Sequence, residues 1–178
     1  MPIQVTNITS RLKMHCSDTF PTMPIKYLRR GHFVTHSKIS TCYPLIISVK
    51  HGHIENFHQY FFNLPPDNDY IKWTVGKAMY MADGTALKQK QALDENGFYS
   101  DIISSSAVCT IMCDSINLDE QEKKFTYYGT QLIKRRSRDL KRSMVTSGYI
   151  ENVPRTANNP HGFMITNWRT IENKDLDY

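Results

Sequence analysis

No apolar run in this sequence comes near the roughly 20 residues that a bilayer-spanning helix needs, so any contact with a membrane is expected to be peripheral. The first residues lack the apolar core of a signal peptide, and Met1-Pro2 has no glycine to myristoylate. Cysteine is scarce. Cys16, Cys42, Cys109 and Cys113 show neither CxxC spacing nor the density of a disulfide scaffold, which predicts reduced thiols in a cytosolic or nuclear setting. Glycines such as Gly76, Gly84 and Gly97 stand alone, so no phosphate-cradling loop is present. There is no GxSxG, no HExxH and no recognisable pair of catalytic carboxylates. These absences lead to the expectation that the chain is not an enzyme, holds no metal or cofactor and takes no small-molecule substrate.

What the chain does have is charge, unevenly spread. The net +5 divides into +6 over residues 1–50 (seven basic against one acidic), −5 over 51–130 (six against eleven) and +4 over 131–178 (nine against five). A basic start, an acidic middle and a basic end suit a protein that meets polyanions and copies of itself. The densest cluster lies in Thr130–Gly148, TQLIKRRSRDLKRSMVTSG. Leu132, Ile133, Leu140, Met144 and Val145 can share one helical face, which predicts a basic amphipathic helix ended by Gly148. Lys134, Arg135, Arg136, Arg138, Lys141 and Arg142 would then form a polyanion-binding surface for RNA phosphates or lipid headgroups.

Residues 1–40 show no sustained period and are broken by Pro2, Pro21, Pro24 and Gly31, which reads as an extended arm ahead of a globular domain over 41–178. Within it, Phe20, Met23, Ile25, Tyr27 and Leu28 pack either on their own domain or on a neighbour's. With Lys26, Arg29 and Arg30 beside them, they form the expected self-association contact against the acidic middle of another copy.

Further on, Tyr43, Leu45, Ile47 and Val49 alternate, predicting a strand over Thr41–Lys50, turned by His51-Gly52-His53 into a helix over Ile54–Asn63 that Pro65-Pro66 stops. Asp69–Ala82 reads as strands broken at Gly76, and Asp83-Gly84 as a hairpin turn with Ala86–Ala92 returning. Asp94–Gly97 is another turn. Ile102–Ile116 gives the longest strand signal, with Ala107, Cys109, Ile111 and Cys113 on one face and Val108, Thr110 and Met112 on the other. Two apolar faces predict a central strand covered on both sides. Phe125–Tyr128 opens a further element, and Tyr149–Val153 with Phe163–Trp168 read as a closing hairpin.

His51, His53 and His58 form HxHxxxxH, a spacing that could in principle supply three metal ligands. No carboxylate sits at a matching distance, so a structural role is expected for them. Cys109 and Cys113 are expected to be buried small hydrophobes.

The order of features from Tyr43 to Trp168 resembles the globular domain of rhabdovirus matrix proteins. The pieces that carry the likeness are YPLIISVKHGHIENFHQYF, KAMYMADGTALKQ, DIISSSAVCTIMCDSINLDEQEK, RSRDLKRSMVTSGYIEN and GFMITNW. PPDN at Pro65–Asn68 and PTMP at Pro21–Pro24 do not satisfy the PPxY or PTAP budding motifs, which makes the plant-infecting cytorhabdoviruses the nearer comparison. The resemblance implies an α+β domain, mainly an antiparallel β-sheet packed by helices on one face. It implies a structural protein that self-associates into a polymer, condenses the helical nucleocapsid and links it to the envelope. Implied partners are further copies of itself, viral nucleoprotein–RNA, an anionic membrane surface and the glycoprotein tail. The implied locations are the virion beneath its envelope, the host cytoplasm with its inner membrane surfaces, and the host nucleus. The alternatives are a viral RNA-binding accessory protein using the same basic helix and a small metal-dependent nuclease using the histidines.

Overall fold

The computed structural model describes the backbone of residues 26–29, 32–35 and 39–176, and side chains from Leu45 to Leu176. The chain divides into two compact units, Met1–Ser40 and Thr41–Tyr178. In the first, β1 (Lys26–Arg29) pairs antiparallel with β2 (His32–Thr35), Tyr27 opposite Val34. Phe20, Met23, Ile25 and Arg30 of the expected self-association contact lie outside the described residues. Lys26, Tyr27, Leu28 and Arg29 form β1.

The second unit is an α+β fold. Helices α1 (Ile39–Phe62, which begins just ahead of it), α2 (Asn68–Met79), α3 (Gly84–Glu95) and α4 (Phe98–Ser104) precede a four-stranded antiparallel meander, β3 (Val108–Asp119), β4 (Lys124–Lys134), β5 (Leu140–Asn152) and β6 (Phe163–Asp175). The helices cover one face of the sheet. Ile54, Phe57, Phe61 and Phe62 of α1 meet Ile111, Phe125, Tyr127, Met144, Ile150, Ile165 and Trp168 in one core cluster. A second cluster joins Leu64, Ile71, Val75, Tyr99 and Ile102 to Ala107, Cys109 and Ile133.

Thr41–Lys50 is helix, not strand. Its alternation is incidental to a longer stripe, Ile47, Lys50, Ile54, Phe57 and Phe61, whose 3–4 spacing turns one side of α1 towards the sheet. His51, Gly52 and His53 continue that helix rather than turning it. Asp69–Ala82 is also helical: Asp67 caps α2 by accepting the Tyr70 N–H at 2.8 Å, and Ile71, Thr74, Val75 and Ala78 form its buried stripe. Asp83-Gly84 starts a helix instead of closing a hairpin. Asp83 accepts the Thr85 N–H at 2.9 Å as the cap of α3, and Ala86–Ala92 follows as helix. The turn at Gly97 is present, with φ at +73°. The long strand begins later than expected, after α4 and a left-handed Ser106 (φ +51°). Ala107, Cys109 and Ile111 are buried, whereas Val108, Thr110 and Met112 are exposed. β3 is therefore an edge strand with one open face, not a central strand covered on both.

Each sheet edge is met near one end by a loop flanking α2. At β3, Leu64 and Cys109 each donate an N–H to the other's carbonyl at 2.9 Å, and the Ile111 N–H donates to Asn63 Oδ1 at 2.7 Å. At β6, Ile165 N–H donates to Met81 O (2.9 Å), Asp83 N–H donates to Ile165 O (2.8 Å), and Asn167 N–H donates to Asp83 Oδ2 (3.0 Å). A helix of this length runs about 18 Å, enough to cross four strands spaced about 4.8 Å apart. α2 thus straps one edge of the sheet to the other, and its flanking loops pair strand groups that would otherwise invite another chain.

Candidate functional site

The basic cluster is a β-hairpin. Gln131 and Ile133 of β4 point into the core while Lys134 points out, and the last antiparallel pair is Ile133 with Leu140. Arg135–Asp139 forms the turn, and from Leu140 the chain returns as β5. The helix expected over Ile133–Ser147 is absent because Leu132 and Ile133 lie on opposite faces of a strand, and Met144 and Thr146 continue the period of two. Its six cations are nevertheless brought together. Lys134, Arg135, Arg136 and Arg138 are exposed, and Lys141 and Arg142 are half-buried at its base. Arg142 Nε donates to Asp175 Oδ1 at 2.5 Å. Among the described residues the other five form no ion pair.

The opposite end of the β3–β4 ribbon is acidic. Asp119 accepts the N–H groups of Gln121 and Glu122 (2.8 and 3.1 Å), tightening the turn before Lys123, whose φ is +54°. Glu120 pairs with Lys50 of α1 at 2.6 Å. Lys50 is only 9% exposed, and nothing in the sequence signalled that it crosses to this turn. An eleven-residue β4 separates the two charged ends by about 36 Å.

The three histidines of HxHxxxxH do not converge. His58 is fully buried. Its Nδ1–H donates to Ile54 O at 2.7 Å, its Nε2 accepts the Thr146 hydroxyl at 2.6 Å, and its ring stacks on Tyr127 at 3.7 Å. Burial holds its pKa down at about 3. His53 faces the β5–β6 loop instead. Its Nε2–H donates to Met81 O at 3.4 Å, leaving Nδ1 to accept from His161 Nδ1 at 3.3 Å. Burial lowers its pKa to about 4, against the Met81 carbonyl, which raises it, while the His161 charge lowers it further. His51 is half-buried, two turns before His58 and about 10 Å from it along the helix axis. Among the described residues no three His, Cys, Asp or Glu side chains gather as metal ligands. Cys109 is buried, its thiol pushed up to about 11 by desolvation, while Cys113 is half-buried with its thiol also raised by desolvation.

Two shallow clefts of about 380 and 440 Å³ adjoin at Tyr149 and Asn167, where β5 and β6 slip register between Ser147 and Tyr149 and Asn167 adopts a φ of +51°. The first is lined by Lys123 together with Glu122 and Glu151, so its charge is mixed, whereas the second is lined by Lys124 and Arg169 with no acidic side chain among its walls.

No protein-family model and no curated protein matches the sequence. Solved structures do match in fold. VirB8 of Agrobacterium tumefaciens aligns with a TM-score of 0.62 at 10% identity, over 75% of this chain and 96% of that one. The soluble domain of TrwG from the type IV secretion machinery of Bartonella grahamii aligns at 0.59 and 17% identity, over 74% and 97%. An IcmL-like type IV secretion system protein from Legionella pneumophila aligns at 0.54 and 9% identity, over 71% and 91%. At these identities the likeness is one of fold.

This finding overturns the rhabdovirus matrix resemblance. The strand, the two-faced strand and the basic helix on which that resemblance rested are α1, the edge strand β3 and the β4–β5 hairpin. What it implied goes with it: the homopolymeric lattice, nucleoprotein–RNA, the anionic membrane and glycoprotein tail as partners, and the virion, host cytoplasm and nucleus as locations. The viral RNA-binding accessory protein falls for the same reason, since the basic helix it required does not form.

Proposed function

We propose that this chain is a non-catalytic structural subunit of a type IV secretion apparatus, acting by docking other subunits. The observation that supports it most is coverage. The alignments span 96% of the solved VirB8 chain and 97% of the solved TrwG chain, so the likeness takes in a whole fold and not a recurring motif. On this reading the tip of the β4–β5 hairpin is a contact surface for polyanionic segments of neighbouring subunits. Its five cations, without an ion pair among the described residues, gather around one turn, where charge steers association more than it adds affinity.

The test is deletion of the chain in its own cell with measurement of cargo transfer to a recipient. Transfer should be lost, return with the wild-type chain, and return at least tenfold less well with Arg135→Glu, Arg136→Glu and Arg138→Glu combined. Undiminished transfer without the chain would refute the assignment.

A further inference from the structure

α2 carries an outward face that no described residue covers. At 100° per residue, Ile71, Thr74, Val75 and Ala78 turn inwards. Trp73, Gly76 and Tyr80, the residue that caps the helix, lie on the opposite side at spacings of three and four. Trp73 is 55% exposed and Tyr80 52%, and Tyr70 stands beside Trp73 with ring centroids 5.6 Å apart. Exposed Trp and Tyr side chains clustered on one helix face are the composition of a binding hot spot. Lys72 and Lys77 flank this line on its two sides, and neither has an ion-pair partner among the described residues.

Gly76 supplies the second, independent observation. Glycine inside a helix is unfavourable relative to alanine. Its φ is ordinary here, and a Cβ built on it would meet no atom within 4 Å. Nothing inside the fold therefore requires glycine at this position. What the missing side chain leaves is open space on the outer surface, with Trp73 three residues before it and Tyr80 four residues after it on the same side of the helix.

We infer that the Trp73–Gly76–Tyr80 face of α2 is the docking site for an amphipathic helix of another subunit. That helix places an aliphatic side chain over Gly76 and carboxylates within reach of Lys72 and Lys77. The aromatic pair supplies the apolar contact, the missing side chain at Gly76 sets the close approach, and the two lysines select an acidic partner over a basic one. The strap geometry adds to its suitability, since both ends of α2 are tied to the sheet and the face is presented without an ordering cost.

This inference rests on the function proposed above, and Gly76→Ala separates the two. Alanine should raise the thermal midpoint of the purified chain by about 3 °C. Yet it should lower cargo transfer at least tenfold when it replaces the wild-type chain, as should Trp73→Ala. A photo-crosslinking amino acid, p-benzoylphenylalanine, in place of the exposed Asp69 on the same side of α2 should join the chain to a different subunit in intact cells, and Gly76→Ala should abolish that product. If deletion of the chain impairs transfer but Gly76→Ala supports it fully, the docking site is refuted and the functional assignment survives. A crosslink to a second copy of the chain alone would refute the proposed occupant. Transfer that is indifferent to deletion would remove both.

Discussion

His58 and His53 lie five residues apart on the same helix, and neither exposes any surface, yet they are held in different ways. His58 is bonded at both ring nitrogens within the fold, to the carbonyl four residues back and to Thr146 of β5. Its ring also lies flat on Tyr127 of β4, so it serves as a packed, satisfied core residue. His53 reaches the β5–β6 connection, and one of its two polar contacts is the half-buried His161. One histidine knits α1 to the centre of the sheet, while the other ties it to a loop. Burial alone does not say which side chains hold a fold together. Where their partners sit in the fold does.

Acid should test both together and gives the largest effect. Each folded-state pKa is depressed below 6.5, so above that pH neither group binds a proton in either state and nothing is lost. As pH falls through 6.5 the unfolded chain takes up protons that the folded one refuses, and stability drops until about pH 4 for His53 and about pH 3 for His58. At 1.36 kcal/mol per unit per group, the pair should cost about 6 kcal/mol between pH 6.5 and 4. Urea unfolding across that range measures it. A flat profile would mean that neither ring is neutral in the fold.

His58→Ala should come next, costing about 3 kcal/mol through a core cavity and an orphaned Thr146 hydroxyl. Its removal should also flatten the acid profile, which denaturant titration at pH 7 and pH 5 would reveal. Gly129→Ala attacks the same contact from the other side. A Cβ there would stand 2.6 Å from Tyr127 Cε1 and 2.9 Å from Met112 O, so the ring under His58 must shift. The expected loss is about 2 kcal/mol, with a change in the His58 imidazole NMR shifts. Smallest is His161→Ala. It should cost under about 1 kcal/mol, as for other partly exposed positions. It should also raise the His53 pKa, because a positive neighbour is removed, and leave His58 unmoved. Equal shifts at both histidines would erase the distinction between them.

The same contrast between partners shows what the sequence could disclose. The β5–β6 hairpin, the Gly97 turn and the buried role of Cys109 were legible because local signals and tertiary environment agree there. α1 was half misread because Tyr43, Leu45, Ile47 and Val49 satisfy a period of two, while the stripe from Ile47 to Phe61 emerges only over a window that crosses Gly52. In α2 and α3, Gly76 and Asp83-Gly84 carry turn signals that the helix tolerates or uses as a cap. The basic hairpin failed differently. Its cations were found and do converge, but charges on a turn look like charges on a helix when apolar residues at both flanks supply a chance stripe. Once α2 is seen as a helix, Trp73 and Tyr80 fall on one line. Without that step they read as strand residues.

The strap formed by α2 also sets a timetable. Its first anchor, at Cys109, lies 45 residues beyond Leu64, but its second, at Ile165, is 82 residues beyond Asp83 and almost the last structured part of the chain to be made. During synthesis the helices emerge before any strand they cover, so their apolar sides wait for the strands, and α1 lacks Ile165 and Trp168 until β6 leaves the ribosome. Closure of the strap is therefore a late event joined by long-range contacts, and such contacts form slowly. A chain truncated before Phe163 would keep three strands of the sheet but no edge on which to fasten Met81 and Asp83, and would reach the cell's quality control with its core still open.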